Sequence, residues 1–254
     1  MERAQAIDRH RQALMSFVRL IARGGDSSTL IARDGVVAAV VPEVPDRSVV
    51  NSVAYRDADD LAAAVDELAE SYQTSGVRAW TVWVPEDDRD AAATLEAAGH
   101  HLDATPKAMI AELARLPEPD SVDLDWDADA DPGVVARIND AAYGWVAGGT
   151  FGAAMSRFGA IEGLRLYQAR IDGRPACVLG TYDNGDDCEV YFVATLAEHR
   201  GKGLARRLMH RALIEARDRG LVVSSLQATK LGYPVYERLG YEPICTLEMW
   251  ERRK

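Results

Sequence analysis

The chain has 254 residues, 48 % of them hydrophobic and 27 % charged, with 29 Lys and Arg against 40 Asp and Glu. That length suits one large domain or two small ones and buries about 70–75 % of the unfolded surface without metals or disulfides, which excludes collagen, disorder and small disulfide scaffolds. The net charge of −11 argues against a general nucleic-acid binder, which needs a cationic field, and is compatible with attraction of a cationic substrate.

The first ten residues are charged throughout with no apolar core of a signal peptide, and no run of eighteen apolar residues follows, so a cytoplasmic protein with neither membrane nor nucleic-acid partner is expected. Apolar residues Ile7, Leu14, Phe17, Val18 and Ile21 share one helical face over 6–23, which Gly24 and Gly25 end. Short apolar runs at 30–32 and 36–41 flank Asp34-Gly35, a hairpin signal because that turn needs positive φ. Residues 49–55 read as a strand, 61–72 as a helix, 79–84 as a strand, 90–98 as a helix stopped by Gly99, and 108–113 as a strand. The segment 116–121, with Pro117 and Pro119, is the best linker, because proline interrupts ladder and helix bonding.

Residues 122–126 then read as a strand and 132–142 as a helix, with Asp131 as N-cap and Pro132 in its first turn. A glycine-broken stretch, 144–152, leads to a short helix through Met155 and Phe158. A hairpin turns about Asp172-Gly173 between strands 164–170 and 175–182. Asp183-Asn184-Gly185-Asp186 leads into a strand at 188–194. A long helix over 203–219, a strand at 222–227, a helix at 234–239 and a strand at 244–250 complete the chain. Strands and helices in this order imply an α/β (α+β) fold, with a mixed, mostly antiparallel sheet in each half.

The halves echo each other. Leu95-Glu96-Ala97-Ala98-Gly99-His100 lines up with Tyr236-Glu237-Arg238-Leu239-Gly240-Tyr241, each after a strand, helix, strand succession. A repeat of this length reads as a duplicated domain rather than a solenoid. The expected division is residues 1–116, a linker at 117–121, and residues 122–254.

Cys177, Cys188 and Cys245 lie far from any Cys-x-x-Cys spacing and, being odd in number, read as reduced thiols. Cys188 is a buried residue rather than a nucleophile, since no pattern supplies its base. His199 and His210 are expected on the surface. Without a His/Cys cluster no metal site is expected.

The strongest chemical signal runs from Val193 to Ala205: Val193-Ala194-Thr195 ends a strand, and Arg200-Gly201-Lys202-Gly203-Leu204-Ala205 turns directly into a helix. Glycines there allow close backbone approach, and the unpaired amides of a helix N-terminus suit a pyrophosphate. A Walker A loop would need Ser or Thr after Gly-Lys, where Gly203 stands, and the G-x-G-x-x-G pattern fails at Arg206.

This hexapeptide resembles the acyl-coenzyme-A loop, R/Q-x-x-G-x-G/A, of the GNAT N-acetyltransferase superfamily. The resemblance extends over about 122–254. Glu189 to Thr195 looks like the family's fourth strand, which bulges and splays from the fifth. Gln227-Ala228-Thr229 and Tyr236 to Tyr241 look like its second coenzyme motif. Ala197 stands where proline is common, and Thr229 where asparagine often contacts the pantetheine arm. In the first half the equivalent turn, Tyr55-Arg56-Asp57-Ala58-Asp59-Asp60-Leu61, has no glycine and three aspartates, which would repel phosphate. The resemblance therefore implies a tandem protein with a degenerate first lobe.

It also implies acetyl-CoA as co-substrate, bound by Val193, Ala194, Thr195, Arg200, Gly201, Lys202, Gly203, Leu204, Ala205, Thr229 and Tyr236. Glu189 would be the base, directly or through water, or else a solvated residue after Asp186-Asp187. The Val193 amide would polarise the thioester carbonyl. Tyr236 would protonate the departing sulfur, or else pack the last helix; Tyr233 is the local alternate. Arg206 and Arg207 join Arg200 and Lys202 as phosphate contacts or a solvated face. Tyr143, Trp145, Phe151 and Phe158 are expected to line the substrate pocket. The implied activity is acetyl transfer to a primary amine of a small molecule, by a monomer or a homodimer. A protein lysine or N-terminal acetyltransferase and a non-catalytic acyl-CoA sensor fit the same residues.

Overall fold

The computed structural model describes residues 2–118, 123–145 and 151–254. It divides into two compact units, Met1–Ala108 with Ile244–Lys254, and Met109–Pro243.

In the first unit, helix α1 (Arg3–Ile21) precedes the hairpin β1 (Thr29–Arg33) and β2 (Val36–Val40). Gly35 takes φ +72° at the turn, as Asp34-Gly35 predicts. Strand β3 (Ser52–Tyr55), helix α2 (Ala58–Thr74), strand β4 (Ala79–Pro85), helix α3 (Arg89–Ala97) and strand β5 (His101–Ala104) follow. β2 pairs with β3 antiparallel and β3 with β4 parallel. The next neighbour of β4 is antiparallel β12 (Glu242–Arg253), which also pairs with β5. The final strand, assigned by sequence to the second half, thus completes the sheet of the first.

In the second unit the order is β6-β11-β10-β9-β8-β7, built from β6 (Lys107–Glu112), β7 (Trp126–Asp127), β8 (Leu164–Ile171), β9 (Arg174–Asn184), β10 (Asp187–Thr195) and β11 (Val223–Ala228). From Met109 on, β6 belongs to this unit, although the sequence division at 117–121 assigns it to the first. Hydropathy along the chain does not reveal which unit a strand will join, because that depends on packing against residues far away in sequence. Within the expected linker, and within the strand expected at 122–126, residues 119–122 lie outside the described residues. The strand itself is the short β7.

β7, β8, β9 and β10 pair antiparallel, and β10 with β11 parallel. The second unit's helices are α4 (Pro132–Tyr143), α5 (Phe151–Ala154), α6 (Leu204–Asp218) and α7 (Tyr233–Glu237). Asp131 caps α4 through the amides of Gly133 and Val134. α6 buries Leu204, Leu208, Met209, Ala212, Leu213 and Ala216, a helical stripe that packs on Tyr167, Ala169, Cys177, Leu179, Cys188 and Val190 of the sheet. α4 packs on β8, β9 and β10. The result is the expected mixed sheet, mostly antiparallel and flanked by helices. No helix among the described residues is long and apolar enough to cross a membrane.

Candidate active site

The site is built where β10 parts from β11. Their parallel register covers only Asp187, Cys188 and Glu189 against Val223, Ser224 and Ser225. Beyond it β10 runs on to Thr195 and β11 to Ala228 without pairing with each other. On its other edge β10 bulges: Tyr191 pairs with Gly180 and Ala194 with Val178, so Phe192 and Val193 together oppose Leu179. Phe192 takes φ +57°, one of two non-glycine residues with positive φ among the described residues, and such a bulge re-aims the local amides. Gly180 makes room for it, since a side-chain carbon there would lie 3.1 Å from the Phe192 ring. The ring packs among Phe151, Phe158 and Tyr191 at centroid distances of 5.9, 5.6 and 6.0 Å.

Phe151 and Phe158 are therefore buried core beneath the bulge, not pocket lining as the sequence reading has them. Tyr143 and Trp145 are exposed. Helix α4 reaches the outer side of the bulge: Asn139 Nδ2 donates to the Phe192 carbonyl and the Tyr143 hydroxyl to that of Val193, both at 3.4 Å.

After Thr195 the chain passes through a short 3₁₀ turn, Ala197–His199, to the glycine turn. Gly201 and Gly203 both take φ +74°, a region closed to most side chains. A side-chain carbon at Gly201 would meet nothing within 4 Å, so the turn is open. Gly203 is the N-cap of α6, and no side chain caps that helix. The cations around it are used structurally. Arg200 donates to the carbonyls of Thr195 at 3.2 Å and Ala142 at 2.7 Å, tying the turn to β10 and α4. Arg207 donates to the carbonyls of Asp123 and Lys202, each at 3.1 Å. The Lys202 ammonium lies 3.3 Å from His199 Nδ1. The turn from Arg200 to Gly203 is exposed.

Thr229, after β11, is exposed; its hydroxyl accepts from the Gly232 amide at 3.2 Å and its carbonyl from the Tyr233 amide at 2.9 Å. These bonds start α7, which carries Tyr236 into the interior. Burial, with Tyr143 and Cys177 nearby, pushes the Tyr236 phenol well above its usual range. Gly232 seats this ring: a side-chain carbon there would stand 2.7 Å from Tyr236 Cε2. The sequence reading missed Gly232, whose ordinary φ of −77° carries no local signal.

Glu189 is fully buried, not solvated. Its Oε1 accepts from Asn184 Nδ2 at 2.8 Å and its Oε2 from the Tyr191 hydroxyl. Cys188, the neighbour facing α6, has its thiol pushed up to about 12 by burial, and Cys177 to about 11 for the same reason. Neither can be a thiolate near neutrality, as expected for Cys188. His199 is half-buried. His210, expected on the surface, is buried with Nε2 2.7 Å from the Pro117 carbonyl; a polar residue on an amphipathic helix can turn inward where a carbonyl awaits it. Among the described residues no cluster of His, Cys, Asp and Glu is placed to hold a metal ion.

The family model for an acetyltransferase (GNAT) domain matches residues 188–244, the span from β10 through the glycine turn to the end of the Tyr236 segment. No curated protein matches the sequence. Among solved structures, a GCN5-related N-acetyltransferase from Kribbella flavida is similar with a TM-score of 0.71 at 17 % identity, over 95 % of both chains. One from Sphaerobacter thermophilus gives 0.60 at 15 % identity, over 96 % of this chain and 93 % of its own. A tandem GNAT protein from the clavulanic acid biosynthesis pathway gives 0.56 at 14 % identity, over 95 % of each. At such identities the likeness is one of fold, and the fold is that of GNAT acetyltransferases.

Proposed function

We propose that this chain is an N-acetyltransferase that moves an acetyl group from acetyl-CoA to a primary amine of a small molecule, with both substrates bound together. The observation that carries the reading is the open glycine turn at the uncapped N-terminus of α6, beside two strands that separate after Glu189. Unpaired amides at the positive end of a helix dipole suit a diphosphate, and parted strands admit an extended arm between them.

Bound acetyl-CoA would supply an activated thioester carbonyl. In this reading the backbone from Arg200 to Ala205 grips the diphosphate, and Val193, Ala194 and Thr195 run along the arm, with Thr229 across from them. The Val193 amide, in the bulge, polarises the carbonyl, an effect worth a few kcal/mol elsewhere. Glu189 accepts the proton that an amine must lose before it can attack. Tyr236 donates to the leaving sulfur. Burial makes it a poorer acid than a free phenol but keeps it protonated, and a thiolate with pKa about 8–9 asks little of its donor.

The first unit, in the same reading, is a degenerate lobe. Its β3, α2 and β4 repeat the parallel arrangement of β10, α6 and β11, but the Asp57 carboxylate caps α2 through the Asp60 amide at 3.0 Å. That oxygen fills the place of an anion. Leu95 stands where the repeat puts Tyr236.

Acetyl-CoA at about 100 times its dissociation constant should stabilise the chain by about 2.7 kcal/mol, read as a thermal shift; no shift overturns the proposal. Thiol release is then followed over a panel of small amines and peptides. Turnover of small amines supports the reading, turnover of peptides alone points to a protein acetyltransferase, and binding without turnover to a sensor. Tyr236→Phe is expected to lower kcat by about 10²–10⁴ while keeping the thermal shift.

A further inference from the structure

Glu189 has no exposed surface, and Tyr191 keeps 5 % of its own. Both carboxylate oxygens of Glu189 are engaged by donors, Oε1 by Asn184 and Oε2 by Tyr191. Glu189 and Tyr191, two residues apart on β10, project from one face of the strand, opposite to Cys188 and Val190, which face the α6 side. Tyr191 stands at the start of the bulge, its ring 6.0 Å from Phe192. Titratable groups facing the pair include Asp187 on β10, whose Oδ2 accepts from Ser225 of β11 at 2.8 Å, and Tyr182 on β9, which pairs with Glu189. Glu189 itself reaches no solvent and what exposure the pair keeps belongs to Tyr191, so the route for a proton to the carboxylate runs by way of a neighbour. Tyr191 is the neighbour on the bulge side. Burial, and then the charge of Glu189, hold its phenol far above the usual range, so it keeps its own proton and can only pass one along.

We propose that Asn184, Glu189 and Tyr191 form one proton-handling unit, in which the Tyr191 hydroxyl carries the proton from the acceptor's ammonium group to Glu189 and Asn184 holds the carboxylate in place. This rests on the acetyl-transfer reading above. In the step, an N–H bond of the ammonium breaks as a new O–H bond forms on Tyr191. The original Tyr191 O–H bond breaks, and its proton bonds to Glu189 Oε2. The amine is left neutral with its lone pair, Tyr191 is again a neutral phenol, and Glu189 is a neutral acid. Asn184 is a positioning residue: its bond to Oε1 leaves Oε2 as the oxygen that takes the proton.

Two measurements on the full chain test the unit. The first is a carboxyl-carbon NMR titration of Glu189, identified by its loss in Glu189→Gln, in the unaltered chain and in Tyr191→Phe. Removing a donor to the ionised form should raise the midpoint by about one pH unit; an unmoved midpoint overturns the unit. The second uses any amine that turns over. Tyr191→Phe and Glu189→Gln are each expected to lose at least about tenfold in rate, and the double variant no more than Glu189→Gln alone, because groups acting as one are non-additive. Asn184→Ala should shift the acidic limb of the rate profile the same way. Full activity in Tyr191→Phe, or losses that multiply, would sink the relay and leave acetyl transfer standing. An acetyl-CoA thermal shift kept in Tyr191→Phe excludes misfolding as the cause of its loss. A chain that turns over no amine at all sinks both readings.

Discussion

Gly201 shows how much a single residue type decides. Its φ of +74° costs any other residue about 1–3 kcal/mol of strain, yet the space where a side chain would stand is empty. Gly201→Val is therefore expected to fold with that modest loss of stability and to abolish the acetyl-CoA thermal shift, because its methyls occupy the place proposed for the phosphates. A retained shift would count against the turn as the grip. Gly232 acts by a different route. Its backbone is ordinary, but a methyl there meets the Tyr236 ring at 2.7 Å. Gly232→Ala should displace that ring and lower kcat in the manner of Tyr236→Phe, with about 1–3 kcal/mol of overpacking cost seen in thermal scans. The first glycine was legible in the sequence, because a turn motif announces positive φ. The second was not, because its constraint comes from a side chain four residues on, held by tertiary packing. Glu189 shows the same limit: the strand was legible, the full burial of its carboxylate was not.

At the scale of elements, the two helix starts argue for different uses of one design. α6 begins on a left-handed glycine with no side-chain cap, and α2 begins on Asp57, whose carboxylate accepts from the Asp60 amide. Asp57→Ala should cost about 0.5–2 kcal/mol of stability, typically near 1, measured by thermal scan, and leave the acetyl-CoA shift unchanged. A lost or enlarged shift would mean that α2 takes part in binding. Most elements were legible because their signals are local. Asp34-Gly35 and Asp172-Gly173 set their hairpins, Asp131 and Pro132 start α4, and the apolar stripe of α6 marks its buried face. The bulge at Phe192 was expected only through family resemblance. No short-range pattern marks it, since it depends on Gly180 of the neighbouring strand and on the aromatic cluster behind it.

For the molecule as a whole, acid stability provides a test that does not depend on function. His10 and His100, both in the first unit, are held by burial at pKa values of about 4, against about 6.5 in an unfolded chain. Below pH 6.5 the unfolded chain takes up protons that the folded chain accepts only near pH 4. These rings therefore destabilise the fold progressively as pH falls from 6.5 towards 4, by up to about 3 kcal/mol each. His100 stacks edge-on against Trp80 at 4.4 Å, its Nε2 has no hydrogen-bond partner, and the Leu95 carbonyl that lies 3.2 Å from its Nδ1 also accepts from the His100 amide at 2.9 Å, so Phe leaves that carbonyl satisfied. His100→Phe should match or exceed the parent at pH 7 and lose less stability between pH 6.5 and 4; parallel pH curves would refute this.

Sequence by itself determined the element types, most turns, the mixed character of the sheets and the glycine turn ahead of α6, because each follows from side-chain periodicity or backbone conformation within a few residues. Tertiary structure alone decided that β12 pairs with β4 in the first unit while β6 belongs from Met109 with the second, that β10 and β11 part after Glu189, and that Glu189, Asn184 and Tyr191 meet. Those outcomes depend on which backbone edge is open to which strand and on what lies beneath a side chain, and hydrogen bonding and close packing between segments far apart in the chain leave no periodic trace along it.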